Sequence, residues 1–178
     1  KALTRKLEEL KREALTRSDK MRELFEKLHK TYDKEGYGTP HYVKTQQAIT
    51  ETLMTIRFTA KAIEKLCGTV RGQVDEVRKK ERELRRIIVD KCGMPQEKFI
   101  AEFPDNLLNL KWIEKQAAAG KPWSAVMQRN IPPVQELQQG LITIQSSVVV
   151  PLAHLKDIHK RMNLGESTSR DAKKEMIE

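Results

Sequence analysis

The sequence is sparing with the residues that most often carry chemistry. Cys67 and Cys92 are its only cysteines. If the stretch between them is helical, 25 positions at ~1.5 Å rise separate them by ~37 Å, and a disulfide needs Cα atoms within ~7 Å. They read as structural thiols. His29, His41, His154 and His159 are scattered, and the closest pair is five positions apart, not the three or four that place two ligands on one helical face. No metal site is expected. The eight glycines are dispersed, and there is no phosphate loop, no Gly-x-Ser-x-Gly elbow and no His-Glu-x-x-His. These absences argue against an enzyme: no catalytic residue, no cofactor and no small-molecule substrate are expected. The longest apolar run lies around Val148 to Val150, far short of the ~20 residues of a membrane-spanning helix. Lys1 opens in charged sequence with no apolar stretch before a small-residue cleavage site, so a cytoplasmic protein is the expectation. Aromatics at 5% supply no base-stacking platform.

Positive charge, by contrast, is plentiful. Lys and Arg number 34 against 25 Asp and Glu, a formal charge of +9 with a pI near 9.6, so anionic partners are attracted. The excess is uneven. Up to Cys92 there are 23 basic and 15 acidic residues, and beyond it 11 and 10. Arg78, Lys79, Lys80, Arg82, Arg85, Arg86 and Lys91 face only Glu81, Glu83 and Asp90, which leaves +4 on that stretch. One reading is a surface turned towards phosphates or an acidic protein, felt over ~8 Å at physiological salt. The other is a solvated helix face with internal pairs such as Glu81 with Arg85.

Apolar spacing predicts helices throughout. Leu3, Leu7, Leu10, Ala14, Met21, Leu24 and Leu28 step by threes and fours with only Arg17 interrupting the seam, the pattern of one long amphipathic helix. Gly36 and Gly38 break the period; Thr39-Pro40 then offers a hydroxyl cap and a first-turn proline. Val43, Ile49, Leu53 and Ile56 begin a second long helix. Arg57-Phe58-Thr59 is a place where it can break before Ile63, Leu66, Val70, Val74, Val77, Leu84 and Ile88 carry it to Gly93. Prolines then punctuate the chain, predicting shorter helices over 95–103, 106–119, 122–130, 132–147 and 151–162, the last ended by Gly165, and a further one over 166–178. Leu141 to Ile144 suits a strand by composition, but no partner run exists, so it reads as helix. Trp112 and Trp123 are core anchors on this reading. The expected fold is all-α: a long antiparallel helical pair packed with several short helices.

Cys92-Gly93-Met94-Pro95 followed by Phe99-Ile100, then Lys121-Pro122-Trp123-Ser124, Lys156-Asp157-Ile158, Arg161-Met162, Gly165-Glu166 and Ala172-Lys173-Lys174-Glu175-Met176 occur in a distinctive order. In that order and near that spacing the chain resembles the primary, or housekeeping, sigma factors of bacterial RNA polymerase, most densely from about Val89 onward. The resemblance implies a helical non-conserved region over 1–164 and the beginning of the second conserved region over 165–178. It also implies a non-catalytic initiation factor that binds core RNA polymerase and directs promoter recognition. In the family this helical body can touch the largest polymerase subunit and assist promoter escape. Lys173 and Lys174 match the basic opening of the second conserved region. The long acidic tract of many relatives is missing from this sequence.

The candidate contacts to polymerase or to upstream promoter DNA backbone are therefore Arg78, Lys79, Arg82, Arg85, Arg86, Lys173 and Lys174, with a monomeric fragment expected. Two rivals stand beside this reading: a free-standing helical interaction protein that dimerises through the Leu3–Leu28 seam, and a nonspecific nucleic-acid binder.

Overall fold

The computed structural model describes residues 2–177. Among them are seven α-helices, one π-helical segment, one 3-10 turn and no strand. The all-α expectation holds. The backbone forms two compact units, one up to Glu64 and one from Lys65.

In the first unit α1 (Ala2–Glu35) and α2 (Pro40–Met54) make a hairpin. Gly36 and Gly38 turn it with φ of +84° and +78°, a region that a side chain disfavours. Thr39 caps α2 as predicted, its hydroxyl accepting from the Tyr42 amide at 3.4 Å, with Pro40 in the first turn. The inner face of α2 differs from the apolar spacing: Tyr42, Thr45, Ile49 and Thr52 are buried, whereas Val43 and Leu53 are exposed. Two of those four are threonines, whose hydroxyls donate to the carbonyls of His41 and Ala48, each at 2.9 Å. Threonine can line a buried helix face this way without stranding a donor, and a hydropathy pattern does not register it. Tyr42 lies edge-on to Tyr37 at 5.1 Å and tilted to Tyr32 at 6.2 Å. Burial is the main cause that raises its phenol above the ordinary range, the two neighbouring tyrosines adding to it. The α1 seam is buried at Leu28 alone; Leu3, Leu7 and Leu10 are exposed. α2 has only 15 residues against the 34 of α1, too few to cover the whole seam, so the long antiparallel pairing expected of α1 is made over its second half only.

The second long helix is interrupted, at the place its sequence allowed. α2 ends at Met54, and α3 (Ala60–Arg85) restarts after Arg57-Phe58-Thr59, where the Thr59 hydroxyl accepts from the Ala62 amide at 3.1 Å. In the second unit α3 passes into a π-helical segment (Arg86–Lys91). There the Cys92 amide reaches back five residues to the Ile87 carbonyl at 2.9 Å. The widened turn stacks Cys92 on Ile87 while Ile88 stays buried, so all three face the core. Gly93, at φ +83°, ends the helix as predicted. Then come α4 (Gln96–Glu102), a 3-10 turn (Pro104–Asn106), α5 (Leu110–Ala118), α6 (Ser124–Ser147) and α7 (Leu152–Glu175).

Val77, Leu84, Ile88, Ile113, Val134 and Leu141 are fully buried at the centre of this unit. Each such side chain contributes about 1.5–3 kcal/mol relative to exposure. Trp112 is buried as expected, 5.2 Å edge-to-face from Phe103. Trp123 is only half-buried, and the Lys98 ammonium sits 5.6 Å above its ring. Ser124 closes the turn between α5 and α6, its hydroxyl donating to the Gln116 carbonyl at 2.8 Å and accepting from the Lys121 amide at 2.9 Å. Gln145 closes the next turn, donating to the Val150 carbonyl at 2.9 Å and accepting from the Leu152 amide at 3.2 Å.

Two predicted boundaries are absent. Helices over 122–130 and 132–147 are one helix, α6, which passes through Pro132 and Pro133. The carbonyls that lose their amide partners belong to Gln128 and Arg129, both exposed residues that water can satisfy. Burial of Met127, Val134 and Leu141 along the inner face outweighs the proline penalty. Gly165 does not stop α7, which runs on to Glu175; its φ is not positive, and a Cβ added there meets nothing within 4 Å. Gly165→Ala is therefore expected to stabilise the chain by about 0.5–1 kcal/mol. A thermal melt followed by circular dichroism should rise by roughly 2–4 °C per kcal/mol.

Candidate functional site

Arg78, Arg82 and Arg85 recur in steps of four and three along α3, which puts them on one face over ~10 Å of helix. That face borders a groove of about 470 Å³ in the second unit. Phe99, Phe103, Pro104, Leu107 and Ala153 form its apolar floor, from α4, the 3-10 turn and the start of α7; Lys156 completes the rim. The rim charges are not equivalent. The Lys156 ammonium binds both carboxylate oxygens of Glu81 at 2.6 Å, so the helix pair expected between Glu81 and Arg85 is replaced by one across elements. Arg85 turns instead to the Gln96 side-chain carbonyl at 3.2 Å. Among the described residues none of Arg78, Arg82 and Arg85 has a carboxylate within ion-pair distance. The groove therefore keeps its positive charge at three exposed guanidinium groups, since the neutral Gln96 amide does not cancel that of Arg85.

The remaining candidates lie elsewhere. Lys79 is exposed on a neighbouring face of α3, and Arg86 is paired with Glu83. Lys80, part of the basic run, is half-buried against Gly140: a Cβ there would come within 2.7 Å of its ammonium nitrogen. Lys173 and Lys174 occupy the last turn of α7, where cations suit the helix dipole, and ~30 Å of helix separates Lys173 from Ala153. The structure thus brings three of the seven predicted residues together at one groove. Phe99, Phe103, Leu107, Ala153 and Lys156 were not among the predicted site residues, since α4 and α7 are some 50 positions apart in the chain and no local spacing joins them.

Both thiols are held protonated at neutral pH. Burial is the main cause that raises Cys92, and desolvation followed by the Glu166 carboxylate raises Cys67. Glu166 itself accepts from Arg71 at 2.8 Å. Among the described residues no three His, Cys, Asp or Glu side chains gather in a way that could hold a metal, and no helix is long and apolar enough to cross a membrane.

Fold and site define an all-helical module that presents a cationic rim over an apolar groove. The family model for the sigma-70 non-essential region matches residues 1–145, and the chain belongs to that family. It is similar to the RNA polymerase sigma factor RpoD of Neisseria gonorrhoeae, with 31% identity over 172 residues, 97% of this chain and 27% of that protein. The chain spans about a quarter of the length of the curated relative it matches.

Proposed function

We propose that this chain is the helical non-conserved part of a primary sigma factor, acting in the cytoplasm as a non-catalytic portion of a protein that binds core RNA polymerase and directs promoter recognition. On this reading residues 1–164 form the non-conserved region and 165–178 open the second conserved region. Its own role is to contact the largest polymerase subunit or the upstream promoter DNA backbone through Arg78, Arg82 and Arg85, with Lys79, Arg86, Lys173 and Lys174 as outlying contacts. The observation that carries this is the row of guanidinium groups without carboxylate partners among the described residues, Arg78, Arg82 and Arg85, on one face in a member of the sigma-70 family. Family membership does not favour a free-standing dimerising protein.

Titration of the labelled chain into core polymerase tests the assignment. The triple variant R78E/R82E/R85E is expected to bind about tenfold or more weakly, and wild-type affinity to fall with added salt, because exposed cations act chiefly through long-range attraction. Equal affinity for variant and wild type removes this face from the contact.

A further inference from the structure

The rim alone would serve any polyanion; the floor is more selective. Phe99 and Phe103 stack on one another at 4.7 Å and 18°, and Trp112 meets Phe103 edge-on from the core side. Phe99 and Phe103 spend one face each on the other, so the pair does not open to sandwich a nucleobase between its rings, and a paired duplex, its bases stacked inside, has little apolar surface to place among Phe99, Pro104, Leu107 and Ala153. A protein segment has such surface. Arg78 and Arg82 stand one helical turn apart beside that floor, and Lys156 is already neutralised by Glu81. The complementary ligand therefore carries carboxylates on one side and apolar side chains on the other.

We infer that the groove between α3, α4 and the start of α7 docks a short acidic amphipathic helix of a partner protein. Two apolar anchors, one aromatic and one leucine, seat on the floor beside Leu107 and Ala153, and flanking Asp or Glu side chains pair with Arg78 and Arg82. Two anchors four residues apart span ~6 Å, within the ~10 Å that the three arginines cover along α3. Bidentate guanidinium–carboxylate pairing gives such a helix its register, and the anchors supply most of the affinity. This inference rests on the proposed reading that the cationic face meets a protein, and it names the chemistry of what that face accepts.

The probe is a fluorescein-labelled peptide of about 12 residues, glutamate-rich, with Phe and Leu at positions i and i+4. It is compared with a peptide of the same composition whose Phe and Leu fall on opposite helical faces, and with a labelled DNA duplex of similar charge. Fluorescence anisotropy on the full 178-residue chain should show the amphipathic peptide binding at least about tenfold more tightly than its rearranged twin. Ala153→Trp, which fills the floor and leaves every charge in place, should weaken that peptide about tenfold and leave the duplex unaffected. Ala153 is exposed, so both this variant and Ala153→Glu, the second test, are expected to fold, and circular dichroism checks that they do. Equal binding of the two peptides, or no effect of either Ala153 substitution, overturns the inference. Titrating A153W into core polymerase separates the two readings. If A153W binds polymerase normally while R78E/R82E/R85E does not, the proposed contact stands and the groove inference fails. If the groove takes the peptide and polymerase is not bound, the converse holds.

Discussion

Trp112→Ala is expected to cost about 3–5 kcal/mol, the range for emptying a large aromatic site in a packed core. Against a typical domain stability of about 5–15 kcal/mol, that removes much of the margin. Trp112 is 5% exposed and touches Phe103 edge-on, and Phe103, 3% exposed, stacks on Phe99. Neighbouring rings cannot refill the space without leaving their rotamers, so the cavity term adds to the lost transfer energy. Chemical denaturation should show the midpoint shift with little change in slope. Trp123→Ala is the control: that indole is half-buried, and among the described residues its ring nitrogen has no hydrogen-bond partner to lose, so its loss should cost about half as much or less. Equal costs at the two positions would contradict the packing described above. The same ring chain supports the groove floor, so W112A should also weaken any ligand that Phe99 and Phe103 help to seat.

Gln138→Glu is the second large effect, and it depends on pH. Gln138 lies on α6 with no exposed surface, and its amide nitrogen faces the carbonyls of Asn106, Leu107 and Asn109 at 3.2, 3.1 and 3.3 Å. That one side chain holds the turn between the 3-10 segment and α5. A carboxylate in its place would be buried, unpaired and aimed at three carbonyl oxygens, a loss of about 3–5 kcal/mol on the scale of an uncompensated buried charge. Burial and the carbonyl dipoles both disfavour the ionised form, so the introduced carboxyl has a raised pKa in the folded chain. Below the unfolded-state value of about 4.3 it is protonated in both states, can donate to one carbonyl, and the variant approaches wild type. As pH rises towards the raised folded value the deficit grows, and above that value it levels off. Denaturation of variant and wild type side by side at about pH 4 and pH 7 reads the difference directly. A deficit independent of pH would mean that the side chain is not held dry against those carbonyls. Gln138→Leu removes the donor without adding charge and should cost about 1–3 kcal/mol at every pH.

How much of this was legible beforehand depends on the range of the interaction. Local signals translated faithfully: the Thr39 cap, the stop at Gly93 and the weak point at Arg57-Phe58-Thr59. Signals that compete with tertiary burial did not. Pro132 and Pro133 are local helix breakers, yet α6 passes through them because the turns on either side gain more from the core than the local penalty costs; Gly165 lies in an exposed stretch of α7, where an interior glycine costs only about 1 kcal/mol and need not stop the helix. The Leu3 to Leu28 period gave the helix and not its partner, since periodicity identifies a face and says nothing of what covers it. At the site, the basic run over 78–91 was legible as an excess of charge, while the grouping of Arg78, Arg82 and Arg85 apart from their neighbours comes from the fold. The floor is assembled from residues brought together only by the fold of α4 and α7, and the transfer of Glu81 from Arg85 to Lys156 follows from that assembly.

The double proline of α6 also bears on how the second unit comes together. With no amide at two successive positions, helix winding cannot propagate from Ser124 through Ile131 by local hydrogen bonding alone. The segments on either side must be aligned by α5, which lies along both, before they join into one rod. Continuity of this rod is thus a late product of assembly rather than a template for it. A peptide cut from 124–147 would be two short, fraying coils with a stiff elbow between them.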